Sequence, residues 1–407
     1  MLGMKRILFV DDDPPVLEGL RLRLRPFETA WDMTFAGTGG QALAEFQREP
    51  YDVIVSDIRM PGVQGARLLR TVSERWPEAV RIALSGVTNP QETLHLVPIA
   101  HQFLSKPCEP SLLEATIEHC LKVSELLPER RLRALVGRVR RLFPQRRAYT
   151  NLQSLLSDDQ ATVHQVAELI ASDTVMAAKI LQMVHSAFFR RARRIASIEQ
   201  AVAYLGLDAV RSVVLSAEVF SQWPDKPVAS SLDLDRLQRH ASAVANVAHA
   251  LTAEAPVADD ARLAGLLHDI GYWVLAHESP REIERAHACA LQKGIPIYEA
   301  ERETIGASHA EIGAYLLGIW GLPYSVAEAV AHHHAPEGVR QAGLDALSAL
   351  VIAHALEGAG DSVAFRSTLQ SDSRVGAEYL ESLSTSLSWD EAIRRASAAN
   401  NCGARNA

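Results

Sequence analysis

Residues 6–13, RILFVDDD, carry a short apolar run directly into three aspartates. A stretch of that length, closed by turn-forming residues, predicts a buried strand. The same figure recurs downstream. Met33–Ala36, Asp52–Ser56 (DVIVS), Val80–Leu84 and Gln102–Ser105 each read as a strand followed by a helical pattern. Strands alternating with helices at this spacing predict an α/β doubly wound five-stranded parallel sheet. Its fifth helix is expected from Glu109 to about Leu127, where Pro128 should end or kink it.

In a parallel sheet, ligands gather at the carboxyl ends of the strands. Asp11 and Asp12 follow the first strand, Asp57 the third, Ser85 the fourth, and Lys106 the fifth. Close carboxylates make a hard oxygen site suited to Mg²⁺. A lysine beside them would neutralise charge on a transferring phosphoryl group. Asp57 stands alone at its strand end, opposite the acidic pair, and is the candidate nucleophile. Ser85 can donate a hydrogen bond to a phosphoryl oxygen once it is attached.

VDDDPP, SDIRMPGVQG, ALSG and FLSKP resemble, in order and spacing, the signatures of response-regulator receiver domains. The resemblance implies roles. Asp57 would accept the phosphoryl group. Asp11, Asp12, Asp57 and the backbone carbonyl of Arg59 would hold Mg²⁺. Ser85 and Phe103 would form a switch pair, with Lys106 on the phosphate. Asp13 stands where many members have Glu, which would alter phosphoryl lifetime. A sensor histidine kinase or a small phosphodonor is the implied partner.

Beyond Thr150 no strand pattern is visible. Helical periodicity covers Val163–Ala171, Val175–Ser186, Ile198–Leu205, Asp208–Phe220, Leu234–Ala253, Ala258–His277, His309–Trp320 and Ser325–His332. This part reads as all-α. His268 and Asp269 sit in the apolar run LAGLLHDIGYW, and two polar residues buried in a helix are costly unless paired or metal-bound. His240, His309, the triplet His332–His334 and His354 lie on other helices. Imidazoles from several helices with one carboxylate suit Fe, Mn or Zn.

Histidines and an His-Asp pair in this order resemble the HD superfamily of metal-dependent phosphohydrolases. More closely, IASDTVMAAKILQMVHSAFF, SIEQAVAYLGLDAVRSVVL, LLHDIG, SHAEIGAYLLGIWGLP and AVAHHHAP resemble the HD-related output domain, HDOD. The resemblance implies an all-α HD-like domain with His240, His268, Asp269, His309, His333 and either His334 or His354 as candidate metal ligands. It also weakens a catalytic claim. Tyr272 follows Gly271 where the HD-GYP phosphodiesterases carry Lys, and no GYP element follows the histidine triplet. His354 occupies the place of a late aspartate. HDOD domains are regarded as signalling modules.

Between the two halves, Glu129–Arg147 (ERRLRALVGRVRRLFPQRR) is basic, with Leu132, Leu135, Val139 and Leu142 on one face. It reads as a linker helix, and its apolar face could pair with a second copy. No repeated aromatic interleaving or reading motif accompanies the arginines, so a solvated face or a dock for an acidic surface is expected rather than nucleic-acid binding. A net charge of -8 points the same way. RRARR at Arg190–Arg194 reads as an exposed basic loop, and Trp273 and Trp320 as core. The four scattered cysteines form no metal or disulfide pattern. No signal peptide or membrane span is legible, so cytoplasmic residence is expected.

The expected order is a receiver over 4–122, a basic helical linker over 123–141, an HDOD domain over 142–357, and a partly disordered tail over 358–407 with a helix at Trp389–Ala398. The expected function is a response regulator of a two-component phosphorelay. Its HDOD output would be non-catalytic and bind a downstream signalling protein, with a homodimer as one option. Two other readings stay open. One is a phosphorylation-regulated phosphohydrolase acting on a cyclic dinucleotide or nucleotide. The other is nucleic-acid binding through the linker arginines.

Overall fold

The computed structural model describes residues 4–359 apart from 62–63, 87–95, 140–141, 159, 186–194, 196, 216–228, 230, 253–256, 337–338 and 340–343. The region expected to hold the receiver's fourth helix, the Arg190–Arg194 loop and the Trp389–Ala398 helix lie outside the described residues.

The first half forms one parallel sheet from β1 (Lys5–Val10), β2 (Trp31–Ala36), β3 (Val53–Asp57), β4 (Val80–Ser85) and β5 (Gln102–Ser105). Its order is β2-β1-β3-β4-β5. The central strands are apolar on both faces because helices cover both. Ile7, Leu8, Val53, Ile54, Ile82 and Leu104 are fully buried. Register brings the chemistry together. Val10 pairs with Ser56, so Asp11 and Asp57, each one residue further on, lie side by side. Asp57 pairs with Leu84 and Ser85 with Ser105, which sets Ser85 and Lys106 next to them.

The last receiver helix is Pro110–Val123, shorter than expected. Pro128 falls in the turn before a new helix, Arg130–Gly137. The linker then breaks, and a separate helix, Arg146–Leu156, follows. Leu132, Val136, Val139 and Leu142 are buried and Leu135 packs against the same core. The apolar face expected to pair with a second copy is therefore covered within this chain. A Cβ at Gly137 would lie 1.8 Å from the carbonyl oxygen of Pro77, so the linker rests backbone to backbone on the receiver. Buried Arg81 of β4 donates to the Gly137, Ile99 and Ala79 carbonyls and ties the two together. The linker's arginines are also engaged. Arg130 meets Glu78, Arg131 meets Glu282 and the Ile305 carbonyl, and Arg133 is buried. Arg130 and Arg131 thus dock on acidic groups of their own chain.

The second half is helical, as its periodicity predicts. Trp273 and Trp320 are core residues. One expected helix is two. Ala258–His277 divides into Ala258–Leu267 and Ile270–Glu278, with His268 and Asp269 between them. The Asp269 backbone leaves helical geometry at φ -97°, ψ 7°, and the Tyr272 N–H closes a turn onto its carbonyl. The His-Asp pair therefore stands at a corner, not inside a helix, and both side chains enter the core. Helices the periodicity did not mark, Ile297–Thr304 and Ala346–Ala359, supply Glu301 and His354. Among the described residues, no helix is long and apolar enough to cross a membrane.

Candidate functional site

At the sheet's carboxyl edge, Asp11, Asp12 and Asp57 each offer an oxygen within 4.8 Å of the others. Asp11 and Asp57 are buried and Asp12 is exposed, so the group opens to solvent on the Asp12 side. The Lys106 ammonium donates to Asp11 Oδ2 at 2.5 Å and to Asp57 Oδ2 at 2.6 Å. Burial works to lower the Lys106 pKa, but the two carboxylates overcome it and hold it above its usual value. The other Asp57 oxygen, Oδ1, accepts from the Arg59 N–H at 3.0 Å. Asp11 Oδ1 accepts from the Asp13 N–H. Both carboxylates are thus oriented from two sides.

The helix after β3 presses directly on the backbone of Asp57. A Cβ at Gly65 would lie 1.7 Å from the Asp57 carbonyl oxygen, so only glycine fits. Ser85 and Phe103 are buried, on neighbouring strands paired Ala83 to Phe103 and Ser85 to Ser105. Asp11, Asp12, Asp57, Ser85 and Lys106 fall at this edge, and Phe103 lies two residues before the end of β5.

The second group lies in the helical half. His240, His268 and His354 form one trio of potential ligands, His309, His333 and His334 another, and His268, Asp269 and His333 a third that joins them. Ring centroids are 4.9 Å apart for His240 and His354, 5.1 Å for His268 and His333, and 4.9 Å for His309 and His334. His332 is absent from these trios. The candidates therefore converge, with His334 and His354 both included.

The donor set fits a transition metal. His268 Nδ1 lies 2.8 Å from the Gly265 carbonyl and His333 Nδ1 2.7 Å from that of Val330. Carbonyls only accept, which places the proton on Nδ1 and turns the Nε2 lone pair inward. Both Nε2 atoms are buried without a hydrogen-bond partner. Asp269 Oδ2 lies 3.2 Å from His268 Nε2, close but not aligned as a hydrogen bond, and Oδ1 lies 3.4 Å from His309 Nε2. Burial works to raise Asp269, yet His268 and His309 hold it well below the usual carboxylate range. Burial, helped by neighbouring imidazoles, pushes His333 and His354 well below theirs.

Glu301 was not apparent from sequence. It is fully buried, and its Oε2 accepts from His309 Nδ1 and from the His309 N–H, each at 2.7 Å. Burial opposes charge on His309, but Glu301 and Asp269 push its pKa up to about 10. Tyr272 stacks on the His309 ring at 4.0 Å between centroids.

Residues 7–118 match the response regulator receiver domain family, and residues 142–336 match the HDOD domain family. The chain is 34% identical over 122 residues to the hydrogenase transcriptional regulatory protein HoxA of Cupriavidus necator, covering 30% of this chain and 25% of that protein. It is 26% identical over 188 residues to an uncharacterized protein of Treponema pallidum, covering 45% and 36%. The chain thus spans only a quarter to about a third of the length of these relatives. Among solved structures, it is similar to the MmoQ response regulator from Methylococcus capsulatus str. Bath. That likeness has 23% identity and a TM-score of 0.47, over 60% of this chain and 98% of that one.

Proposed function

We propose a phosphorylation switch as the function of this chain, which joins a response regulator receiver domain to an HDOD domain. Asp57 is the phosphoacceptor. The observation that carries this is the setting of Asp57 at the end of β3, one oxygen held by Lys106 and the other by the Arg59 N–H. Asp11, Asp12, Asp57 and the Arg59 carbonyl would hold Mg²⁺, which draws charge off the transferring phosphoryl oxygens. Lys106 leaves its carboxylate pairing to follow the new phosphoryl charge. Ser85 donates to a phosphoryl oxygen, and Phe103 moves with it, biasing a two-state surface. A sensor histidine kinase or a small phosphodonor supplies the group. Incubation with acetyl phosphate and Mg²⁺ tests this: wild type should gain one phosphoryl group by intact mass, and Asp57→Ala none. Equal labelling of both proteins sinks it.

The HDOD domain then acts as a partner-binding output without turnover. Support comes from the enclosure of the histidine cluster. His268, Asp269, His309, His333 and His334 are all buried. A catalytic metal needs an open position, and a site closed by protein ligands leaves none. His240, His268, Asp269, His309, His333, His334 and His354 would hold Fe, Mn or Zn as a structural or regulatory ion. The orphaned Nε2 atoms of His268 and His333 favour metal at this site. His240 and His354 are partly exposed, and this edge keeps a phosphohydrolase reading in play. Hydrolysis of a cyclic dinucleotide by metal-loaded protein, lost in His268→Ala with Asp269→Ala, would establish that second reading.

A further inference from the structure

The helix His309–Ile319 has one end in the histidine cluster and the other end on the receiver. Its first residue is His309, fixed by Glu301 and by the Ser308–Glu311 capping box. At its far end, Gln102 Nε2 donates to the Ile319 carbonyl at 2.9 Å, and His119 Nε2 lies 3.0 Å from the Gly318 carbonyl. Both receiver residues thereby engage carbonyls of the last helical turn, the Gly318 carbonyl accepting from the Gly321 N–H as well.

The fit is close. A Cβ at Gly318 would lie 2.3 Å from Val123 Cγ1. A Cβ at Gly321, where φ is +87°, would lie 2.4 Å from Gln102 Nε2. Lys122 Nζ sits 3.4 Å from the Tyr324 ring centroid, beside the same contact. Substitution of Gly318 would push Val123 and the receiver away, and substitution of Gly321 would displace the Gln102 amide.

Gln102 is also the first residue of β5. Phe103 follows it, and the strand runs on to Ser105 and then Lys106, whose ammonium touches Asp57. Two short rigid elements therefore stand in series between the two sites. One is β5, from Lys106 back to Gln102. The other is the helix, from Ile319 back to His309, about 16 Å long.

We infer that Asp57 phosphorylation and cation binding at the histidine cluster are reciprocally linked through the contact of Gln102 and His119 with the end of helix His309–Ile319. The inference rests on the metal reading given above. In the unphosphorylated protein, the contact seats the helix and keeps His309 against Asp269. When Lys106 and Phe103 respond to the phosphoryl group, Gln102 shifts at the other end of the same strand, and the helix loses its seat. The cluster then holds its cation less tightly. By linkage, a bound cation opposes phosphorylation by the same factor.

The test uses the full chain with saturating Mg²⁺ and Co²⁺ as the probe of histidine ligation, followed by its visible absorption. Co²⁺ affinity is measured with and without beryllofluoride, a stable stand-in for the phosphoryl group. Weakening by about 5- to 150-fold, the range of ordinary allosteric coupling, is expected on adding beryllofluoride. Gln102→Leu with His119→Ala should reduce that ratio to below about twofold. A wild-type measurement needs no variant: Co²⁺ should weaken beryllofluoride binding by the same factor. Co²⁺ affinity that is unchanged or tightened by beryllofluoride overturns the linkage and leaves the metal reading standing. No Co²⁺ binding in either state overturns both.

Discussion

Gly271→Ala probes how the histidine cluster is held. Gly271 is the second residue of the helix that follows Asp269, and a Cβ there would lie 1.9 Å from the His309 carbonyl oxygen. Carbon and oxygen tolerate about 3.3 Å at closest approach, so the helices Ile270–Glu278 and His309–Ile319 must part by about 1.4 Å. The obstacle is backbone, which no rotamer change can clear. Gly313 on the facing helix also packs against Gly271, with its own built Cβ 2.9 Å from the Gly271 nitrogen. Overpacking of this kind costs about 1–3 kcal/mol. For a domain of this size, about 3 kcal/mol lowers Tm by roughly 6–12 °C. The displacement also opens the 3.4 Å approach of Asp269 to His309. Calorimetry and Co²⁺ titration check both effects. Gly19→Ala is the control, because its Cβ meets nothing within 4 Å in a helix. That change should stabilise by about 0.5–1 kcal/mol. If Gly271→Ala matches the Tm and Co²⁺ affinity of wild type, the close packing does not position the cluster.

Three other outcomes follow from the same geometry. Glu301→Gln keeps the shape but loses the carboxylate behind His309. Co²⁺ affinity should fall by about 10- to 100-fold, and an unchanged titration would deny Glu301 that positioning role. Lys106→Ala leaves Asp11 and Asp57 beside each other without their shared cation. It should lower stability at pH 7 by about 1–3 kcal/mol, discounted for the lysine's partial exposure. Mg²⁺ should then raise its Tm more than it raises that of wild type, and an equal rise would refute the pairing. Lys179 is buried against Gln182 and the Trp320 ring, and burial lowers its pKa to about 7. Unfolding restores a value near 10.4, so the unfolded chain binds more protons between those two values. This group's contribution to stability therefore rises with pH from about 7 to about 10. In Lys179→Met that rise should vanish, changing the pH 7-to-9 difference in urea unfolding by about 2 kcal/mol. Parallel pH profiles for the two proteins would count against it.

The receiver was legible because its chemistry is written one residue at a time at strand ends. Once the strands and their order are read, Asp11, Asp57, Ser85 and Lys106 have nowhere else to go. The histidine cluster was legible as a set of residue types. Its construction was not. The run LAGLLHDIGYW is apolar on both sides of His268–Asp269, so periodicity reads one helix where the backbone turns a corner. Glu301 sits among Glu299, Arg302 and Glu303 in a stretch that looks solvated, and only packing shows that it alone points inward. Gln102 and His119 are polar residues of a kind usually left at the surface. Their partners, the Ile319 and Gly318 carbonyls, are some 200 residues away in sequence. Local pattern carries no trace of such a contact. The linker's apolar face was correctly read as apolar, but what covers it depends on tertiary packing.

The claim on which the rest depends is that Asp57 carries the phosphoryl group. Protein treated with acetyl phosphate and Mg²⁺ can be reduced with borohydride, which converts an aspartyl phosphate to homoserine, and then mapped by peptide mass spectrometry. The account predicts homoserine at position 57 alone, dependent on Mg²⁺ and absent from Asp57→Asn. Homoserine at another aspartate, or none at position 57 in protein that has gained phosphoryl mass, would contradict it.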